Sequence, residues 1–302
     1  MSHELARVVA EVKPDLVHAH WLPEFGWMAA REGIRPLICS AWGSDVFGVS
    51  GIARRRSMRA LDGADAVFAD SAHLASATRD LAGRDVPVEV VRWGLDLERF
   101  APGDKAAARQ ALGLQRDGPL IVSVRGFRPI YNPELQLDAF ARVRERWPAA
   151  RLLFKYPADD VPRAVSLSIK RLGLEGAVTT LANVPAEHMP DVYRAADVVL
   201  SVPSTDSSPR SVWEALACGR SVVVSDLPWA QDELEDGRNA LLTPLDATAV
   251  SNAIERALGD EGLGREGRAL AEAELDEKAC TARIDEVYRS VVAGARRRTT
   301  NT

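Results

Sequence analysis

The chain has 302 residues, 46 % of them hydrophobic and 27 % charged, a globular mixture long enough for two domains that excludes an intrinsically disordered chain. A formal net charge of −5 argues against a nucleic-acid partner, because a phosphate-binding surface leaves a basic excess. No apolar run approaches the ~20 residues of a transmembrane helix, and the opening MSHELARVVAEVKPD lacks the basic-then-apolar order of a secretory signal.

The opening segment is helical in pattern at about 3–12. Short apolar runs follow at 15–20, 36–41, 65–70 and 88–93. The rhythm breaks at Phe100-Ala-Pro-Gly-Asp104, where Pro and Gly mark a linker, and the division expected is 1–101 from 102–302. Six more apolar runs come after it, at 119–125, 150–156, 177–184, 197–203, 220–226 and 239–244. Most are apolar nearly throughout rather than alternating, as strands buried on both faces are, and the segments between them have helical composition and period. The fold class expected is α/β, with two Rossmann-like domains whose sheets are parallel. The segment at roughly 267–295 reads as one amphipathic helix that either finishes the second domain or returns to the first.

Cys39, Cys218 and Cys280 are odd in number with no metal-ligand spacing, which suits a reducing, cytoplasmic compartment. The basic run Arg296, Arg297, Arg298 reads first as a solvated terminus and second as a peripheral contact with the inner face of a membrane.

The most informative stretch is STDSSPRSVWEALACGRSVVVSD at 204–226. Asp206 and Glu214 are separated by seven residues, and Ser207, Ser208 and Pro209 lie between a strand end and a helix beginning near Arg210. A helix N-terminus at the C-terminal edge of a parallel strand suits a diphosphate. Glu214, about one turn in, can accept both hydroxyls of a ribose. On the alternative reading Ser207 or Ser208 is the N-cap and Asp206 complements the helix dipole. That reading accounts for the serines but not for Glu214 or the tight ALACG.

Asp206-x7-Glu214 followed by ALACGRSVV resembles the signature of the family-4 retaining glycosyltransferases of GT-B fold, Glu-x7-Glu with an E-A-M-A-x-G-x-P-V-V continuation. In the same order VAEVKPDLVHAHW resembles the family's HxH strand, AWGSDV its H-G-x-D turn, and VVRWGLDLERFAPG its G-V-D-x-x-x-F-x-P crossing between domains. VYRAADVVLSVPS and DLPWAQDELEDGRNALLTPLD resemble its later segments. The resemblance runs over about residues 8–260.

It implies an acceptor-side first domain and a nucleotide-sugar-binding second domain, with the cleft between them. It also implies transfer of a sugar from a nucleoside diphosphate sugar to a hydroxyl acceptor, with retention. In that reading Glu214 holds the ribose, Asp206 orients the donor sugar and His20 lies near the reacting centre. Two departures stand out. Asp206 is one methylene shorter than the usual Glu, and SVRGFRPIYNPE replaces the usual G-R-L-x-x-x-K-G phosphate segment, with Tyr131 in place of the lysine. Arg125 and Arg128 are then the available cations, Arg128 nearer the loop's centre, with Lys155 a further candidate.

His18 and His20 face one side of their strand, but no partner with suitable spacing supports a metal site. Asp45 is either an Asx-turn residue or part of the acceptor side. The ADD at 158–160 lacks the alternating aspartates of a metal-binding DxD. Nothing in the sequence requires a metal or a cofactor.

The first domain has four expected strands against six in the second and opens on a helix, which predicts an incomplete N-terminal domain. A wrong start or a fragment, a companion polypeptide, or loss of catalysis each account for it. Two other functions are weighed: an inactive nucleotide-sugar-binding or scaffold protein of the same family, and a nucleotide-sugar epimerase, for which no acid–base pair is found.

Overall fold

The computed structural model describes residues 2–156 and 161–300; the ADD stretch at 158–160 lies outside them. Two compact units form. The first holds the residues up to Gly94, the segment Asp206–Ser208 and the residues from Glu277 on; the second holds Leu95–Thr205 and Pro209–Asp276.

In the first unit the elements are α1 (Ser2–Val12), β1 (Val17–His20), α2 (Trp27–Arg31), β2 (Leu37–Ser40), α3 (Gly51–Gly63), β3 (Ala66–Ala69), α4 (Ala72–Ala82) and β4 (Val88–Val90). The second contains α5 (Lys105–Ala111), β5 (Leu120–Ser123), α6 (Pro133–Arg146), β6 (Arg151–Lys155), α7 (Arg163–Arg171), β7 (Val178–Leu181), α8 (Met189–Ala195) and β8 (Val198–Ser201). It continues with α9 (Arg210–Ala217), β9 (Ser221–Ser225), α10 (Pro228–Glu233), β10 (Leu241–Thr243), α11 (Ala247–Leu258) and α12 (Gly262–Glu274). The last helix, α13 (Glu277–Thr300), belongs to the first unit. Among the described residues no helix is long and apolar enough to cross a membrane.

Both sheets are parallel, as continuously apolar strands require. The second unit's order is β10-β9-β8-β5-β6-β7. Alternate strand residues feed two separate cores. Ile121, Leu152, Phe154, Val198, Leu200 and Val223 pack with Phe140 of α6 and Ile254 of α11. Val122, Leu153, Val199, Val222 and Val224 pack with Tyr193 of α8 and Trp213 of α9. At the opposite, N-terminal edge, Asp197 accepts from Arg109 (2.7 Å) and from the Leu120 amide (2.7 Å). A nearly buried guanidinium is thereby neutralised and the starts of β5 and β8 are tied together.

The first unit's sheet runs β1-β2-β3-β4. Leu37, Cys39 and Val67 face Leu61 of α3 and Leu74 of α4. Ile38 and Phe68 on the other face meet Val287 of α13. The terminal segment is thus two helices, not one. The break is at Leu275-Asp276, where the Leu275 carbonyl accepts the Leu95 amide at 3.0 Å and Asp276 bridges Leu95. α13 begins hard against Gly94, where a Cβ would stand 2.6 Å from the Glu277 Cα. The basic tail carries exposed ion pairs, Arg296 to Asp15 (2.9 Å) and Arg298 to Asp65 (2.8 Å).

α13 also fixes His18. Its Nδ1 pairs with the Tyr288 hydroxyl and its Nε2 with the Ser40 hydroxyl, both at 2.7 Å. A neutral imidazole can satisfy two hydroxyls, one ring nitrogen donating and the other accepting. Burial, helped by neighbouring His20, pushes the His18 pKa down from 6.5 to about 4. The unfolded chain therefore binds a proton that the folded one refuses between these values. The stability His18 contributes is complete above pH 6.5 and is lost as pH falls toward about 4. The loss amounts to about 2 kcal/mol once water at the cluster's edge is allowed for. Urea denaturation from pH 7.5 to 4.5 should show it as a falling midpoint, and His18→Asn should flatten the slope. Equal slopes in the two proteins would contradict the assignment.

Candidate functional site

Numbered from its first strand, β5, the second sheet has the order three-two-one-four-five-six. Chain direction across the sheet reverses between β5 and β8, and loops leaving their C-terminal ends part there, which is where open α/β sheets bind ligands. The loop after β5 is braced from the neighbouring one. Asn132, in the left-handed region at φ 50°, donates to the Val202 carbonyl (2.9 Å) and the Ser204 hydroxyl (3.0 Å), and the Ser204 amide donates to the Ile130 carbonyl (2.8 Å).

Arg125 leaves the end of β5 half-buried. Its guanidinium lies 4.5 Å from the centre of the Tyr131 ring and donates to the Ser211 hydroxyl on the first turn of α9 at 3.3 Å. Tyr131, standing where the family usually has lysine, thus orients a cation rather than supplying one. Arg128 is exposed, so Arg125, not the residue nearer the loop's centre, reaches α9. Lys155 ends β6 on the same edge of the sheet and is half-buried.

α9 starts at Arg210 with Pro209 as its N-cap and no side-chain cap. The N-cap position thus falls to Pro209 and not to Ser207 or Ser208. Ser207 is 4 % exposed, and its hydroxyl donates to Asp70 at 3.4 Å. Ser208 is buried at φ 46°, a left-handed conformation that ordinary residues adopt only under constraint. Asp206 accepts the Ser207 amide at 3.0 Å. Asp206, Ser207 and Ser208 all count with the first unit.

Glu214 lies on α9 with its side chain 14 % exposed. One carboxylate oxygen accepts from Arg210 Nε at 3.1 Å and the other from the buried Tyr193 hydroxyl at 2.6 Å. A carboxylate has about four acceptor positions, so these two bonds leave room for further donors. α9 ends on Gly219 at φ 68°, whose amide returns to the Leu216 carbonyl at 2.8 Å while that of Arg220 returns to Ala215 at 3.0 Å. The same glycine admits α12: a Cβ on Gly264 would stand 2.3 Å from the Gly219 carbonyl oxygen. The close approach of Gly264 to Gly219 therefore brings α12 hard against the end of α9.

In the first unit the strand ends carry aromatic rings. His20 ends β1, Trp42 follows β2 and Trp93 follows β4. Trp42 and Trp93 stack at 5.5 Å and 8°, and the His20 ring lies 5.7 and 5.8 Å from them. Trp42 is 39 % exposed and His20 is exposed. Although the residue is exposed, partial cover of its ring lowers the His20 pKa from its ordinary 6.5, and an imidazole with a pKa below 6.5 is mostly neutral at pH 7 and can donate or accept.

Asp45 does not line this surface. It is fully buried, with its carboxylate accepting the Trp42 amide at 2.7 Å and the Leu22 amide at 3.0 Å. Burial raises its pKa while these amides pull it back. Both donors precede Asp45 in the chain, so these bonds are not those of an Asx-turn; their effect is to hold Trp42 in place. Among the described residues no three or more His, Cys, Asp or Glu side chains are gathered to hold a metal.

A model of the family "Glycosyl transferases group 1" matches residues 104–274, and one of "Glycosyltransferase Family 4" matches residues 1–99. A D-inositol 3-phosphate glycosyltransferase 2 of Catenulispora acidiphila is 30 % identical over 269 residues, 80 % of this chain and 62 % of that protein. A D-inositol 3-phosphate glycosyltransferase of Nocardia farcinica is 32 % identical over 282 residues, 86 % of this chain and 62 % of that protein. The chain thus spans about three fifths of the length of these curated relatives. Among solved structures, Anabaena HepE in complex with UDP and glucose has a TM-score of 0.85 at 23 % identity, covering 95 % of this chain and 81 % of that one. Sucrose-phosphate synthase from Thermosynechococcus elongatus has a TM-score of 0.84 at 22 % identity, covering 97 % and 77 %. With a family model over more than half its length and this likeness in fold, the chain belongs to the group 1, family-4 glycosyltransferases of GT-B fold.

Proposed function

We propose that the chain binds a nucleoside diphosphate sugar and transfers the sugar to a hydroxyl acceptor, with the retention that the resemblance to family-4 enzymes implies. The observation that carries the reading is the meeting, at the β5/β8 reversal, of Arg125, the start of α9 and the Glu214 carboxylate. A diphosphate needs fixed positive charge. The helix start supplies about half an elementary charge, and Arg125 supplies a whole one. Glu214 accepts from the ribose hydroxyls.

In the transfer the bond from the anomeric carbon to the β-phosphate oxygen breaks and the acceptor oxygen bonds to that carbon. The acceptor's proton leaves with the departing diphosphate or through solvent. Charge grows on the diphosphate as the bond breaks, so Arg125 and the amides of α9 stabilise the transition state more than the bound donor. Asp206 orients the donor sugar and His20 lies near the reacting centre, as the resemblance implies.

On the acceptor side the stacked pair ending at Trp42, beside the neutral His20 imidazole, favours a ring whose C–H face lies on the indole and whose hydroxyls reach the imidazole. The curated relatives named for D-inositol 3-phosphate, a cyclic polyol, are consistent with this class.

Calorimetry checks the donor reading. Glu214→Ala should weaken nucleoside diphosphate binding about 10- to 100-fold, the worth of hydrogen bonds to a charged acceptor. Arg125→Ala should lower the affinity ratio of nucleoside diphosphate to nucleoside, and Arg128→Ala should leave that ratio alone. Unchanged nucleotide affinity in the Glu214 variant, or a ratio that follows Arg128, would overturn it.

Turnover checks the acceptor. D-inositol 3-phosphate should be preferred to open-chain glycerol 3-phosphate. Trp42→Ala should raise the KM for the ring about 3- to 10-fold and leave the donor KM unchanged. A variant with the native preference would contradict the stacking role.

A further inference from the structure

Tyr193 carries a phenol hydroxyl into the core of the second unit, 1 % exposed on α8 and packed among Val192, Val199, Trp213 and Leu216. A phenol hydroxyl placed so deeply costs free energy unless it finds a partner. Its partner is the Glu214 carboxylate at 2.6 Å, a charge-assisted hydrogen bond at the short end of the range. Burial and the Glu214 charge raise the Tyr193 pKa well above its ordinary value, so the hydroxyl keeps its proton and remains a donor.

The geometry points to Tyr193 as a positioning residue for ribose recognition: its buried hydroxyl holds one oxygen of Glu214 so that the carboxylate's remaining acceptor positions stand ready for the nucleotide's ribose hydroxyls. This rests on the reading of Glu214 proposed above. The physical argument concerns rotamers. Glu carries three side-chain torsions, and fixing them on binding costs entropy that a preorganised carboxylate has already lost. Arg210, the other partner of Glu214, has a side chain 56 % exposed on the outer rim. A flexible exposed arginine restrains a carboxylate weakly, whereas a phenol wedged in the core moves little. Arg125 lies near enough to favour the charged form of Tyr193, which places the cation, the phenol and the carboxylate in one neighbourhood of the second unit.

The role predicts selectivity between ribose and deoxyribose rather than a general loss of binding. The native chain, Tyr193→Phe and Glu214→Ala are each titrated in a calorimeter with uridine, guanosine and adenosine diphosphates and with their 2′-deoxy counterparts. The native chain should prefer its tightest ribonucleotide over the deoxy form by about tenfold, the worth of one hydrogen bond to a charged group. In Tyr193→Phe, which keeps the ring and removes only the oxygen, the preference should fall to about threefold or less, with the deoxynucleotide bound as in the native chain. In Glu214→Ala it should vanish. A native-like preference in Tyr193→Phe overturns the inference. So does a parallel loss of both ligands, which would make Tyr193 a packing residue only. If the native chain shows no preference, or Glu214→Ala keeps it, the reading of Glu214 fails instead and the inference falls with it.

Discussion

Reversal of strand order between β5 and β8 is the constraint on which the second unit's site depends. A parallel sheet wound both ways from a central strand must open a gap between two loops at that strand's C-terminal end. Arg125 comes to that gap from one side, and the start of α9 with Glu214 from the other. The rest of the unit keeps the gap in register. The Asn132 bridge joins the loops at the C-terminal edge, and the Asp197–Arg109 pair joins the strand starts at the N-terminal edge. Gly219 at the end of α9 and Gly264 on α12 let the two helices meet closely.

The first unit answers a different demand, since its strand ends carry rings instead of charges. Buried Asp45 holds the turn that presents Trp42, and Tyr288 on α13 holds His18 behind Trp93. Burial pushes the His18 pKa down, and partial cover of its ring lowers that of His20 as well. Their division of labour is visible in the bonds: both nitrogens of His18 are used by hydroxyls of the fold, while His20 is the exposed member of the pair.

Much of this was legible in the sequence because the signals are local. Strands covered on both faces read as apolar runs, and each strand among the described residues lies within a run picked from composition. The seven-residue spacing of Asp206 and Glu214, with the motifs around it, pointed to α9 and its strand. What escaped is what contacts across long separations decide. Ser and Pro before a helix left a cap open as an alternative for the serines, but the Ser207 hydroxyl goes to Asp70, 137 residues away. The terminal segment read as one helix because its period continues, while its break is fixed by Leu95. Arg128 looked better placed than Arg125 because linear position in a loop says nothing of direction; the Tyr131 ring sets that direction. Tyr193 sat unremarked in VYRAADVVL, since only packing of α8 on α9 brings its hydroxyl to Glu214. Trp42 and Trp93 could have been singled out as tryptophans standing just beyond strand ends, where a large ring is costly to expose without use.

The central claim is that a nucleotide's phosphates, and not only its base and ribose, are recognised at the β5/β8 gap. Calorimetric titration of the unaltered chain with a nucleoside, its monophosphate, its diphosphate and its diphosphate sugar tests it most directly. The account predicts affinity rising at each step to the diphosphate, by about tenfold or more in all, with the nucleotide sugar bound at the same site and in competition. A nucleoside and its diphosphate binding equally well, or neither binding, would contradict it.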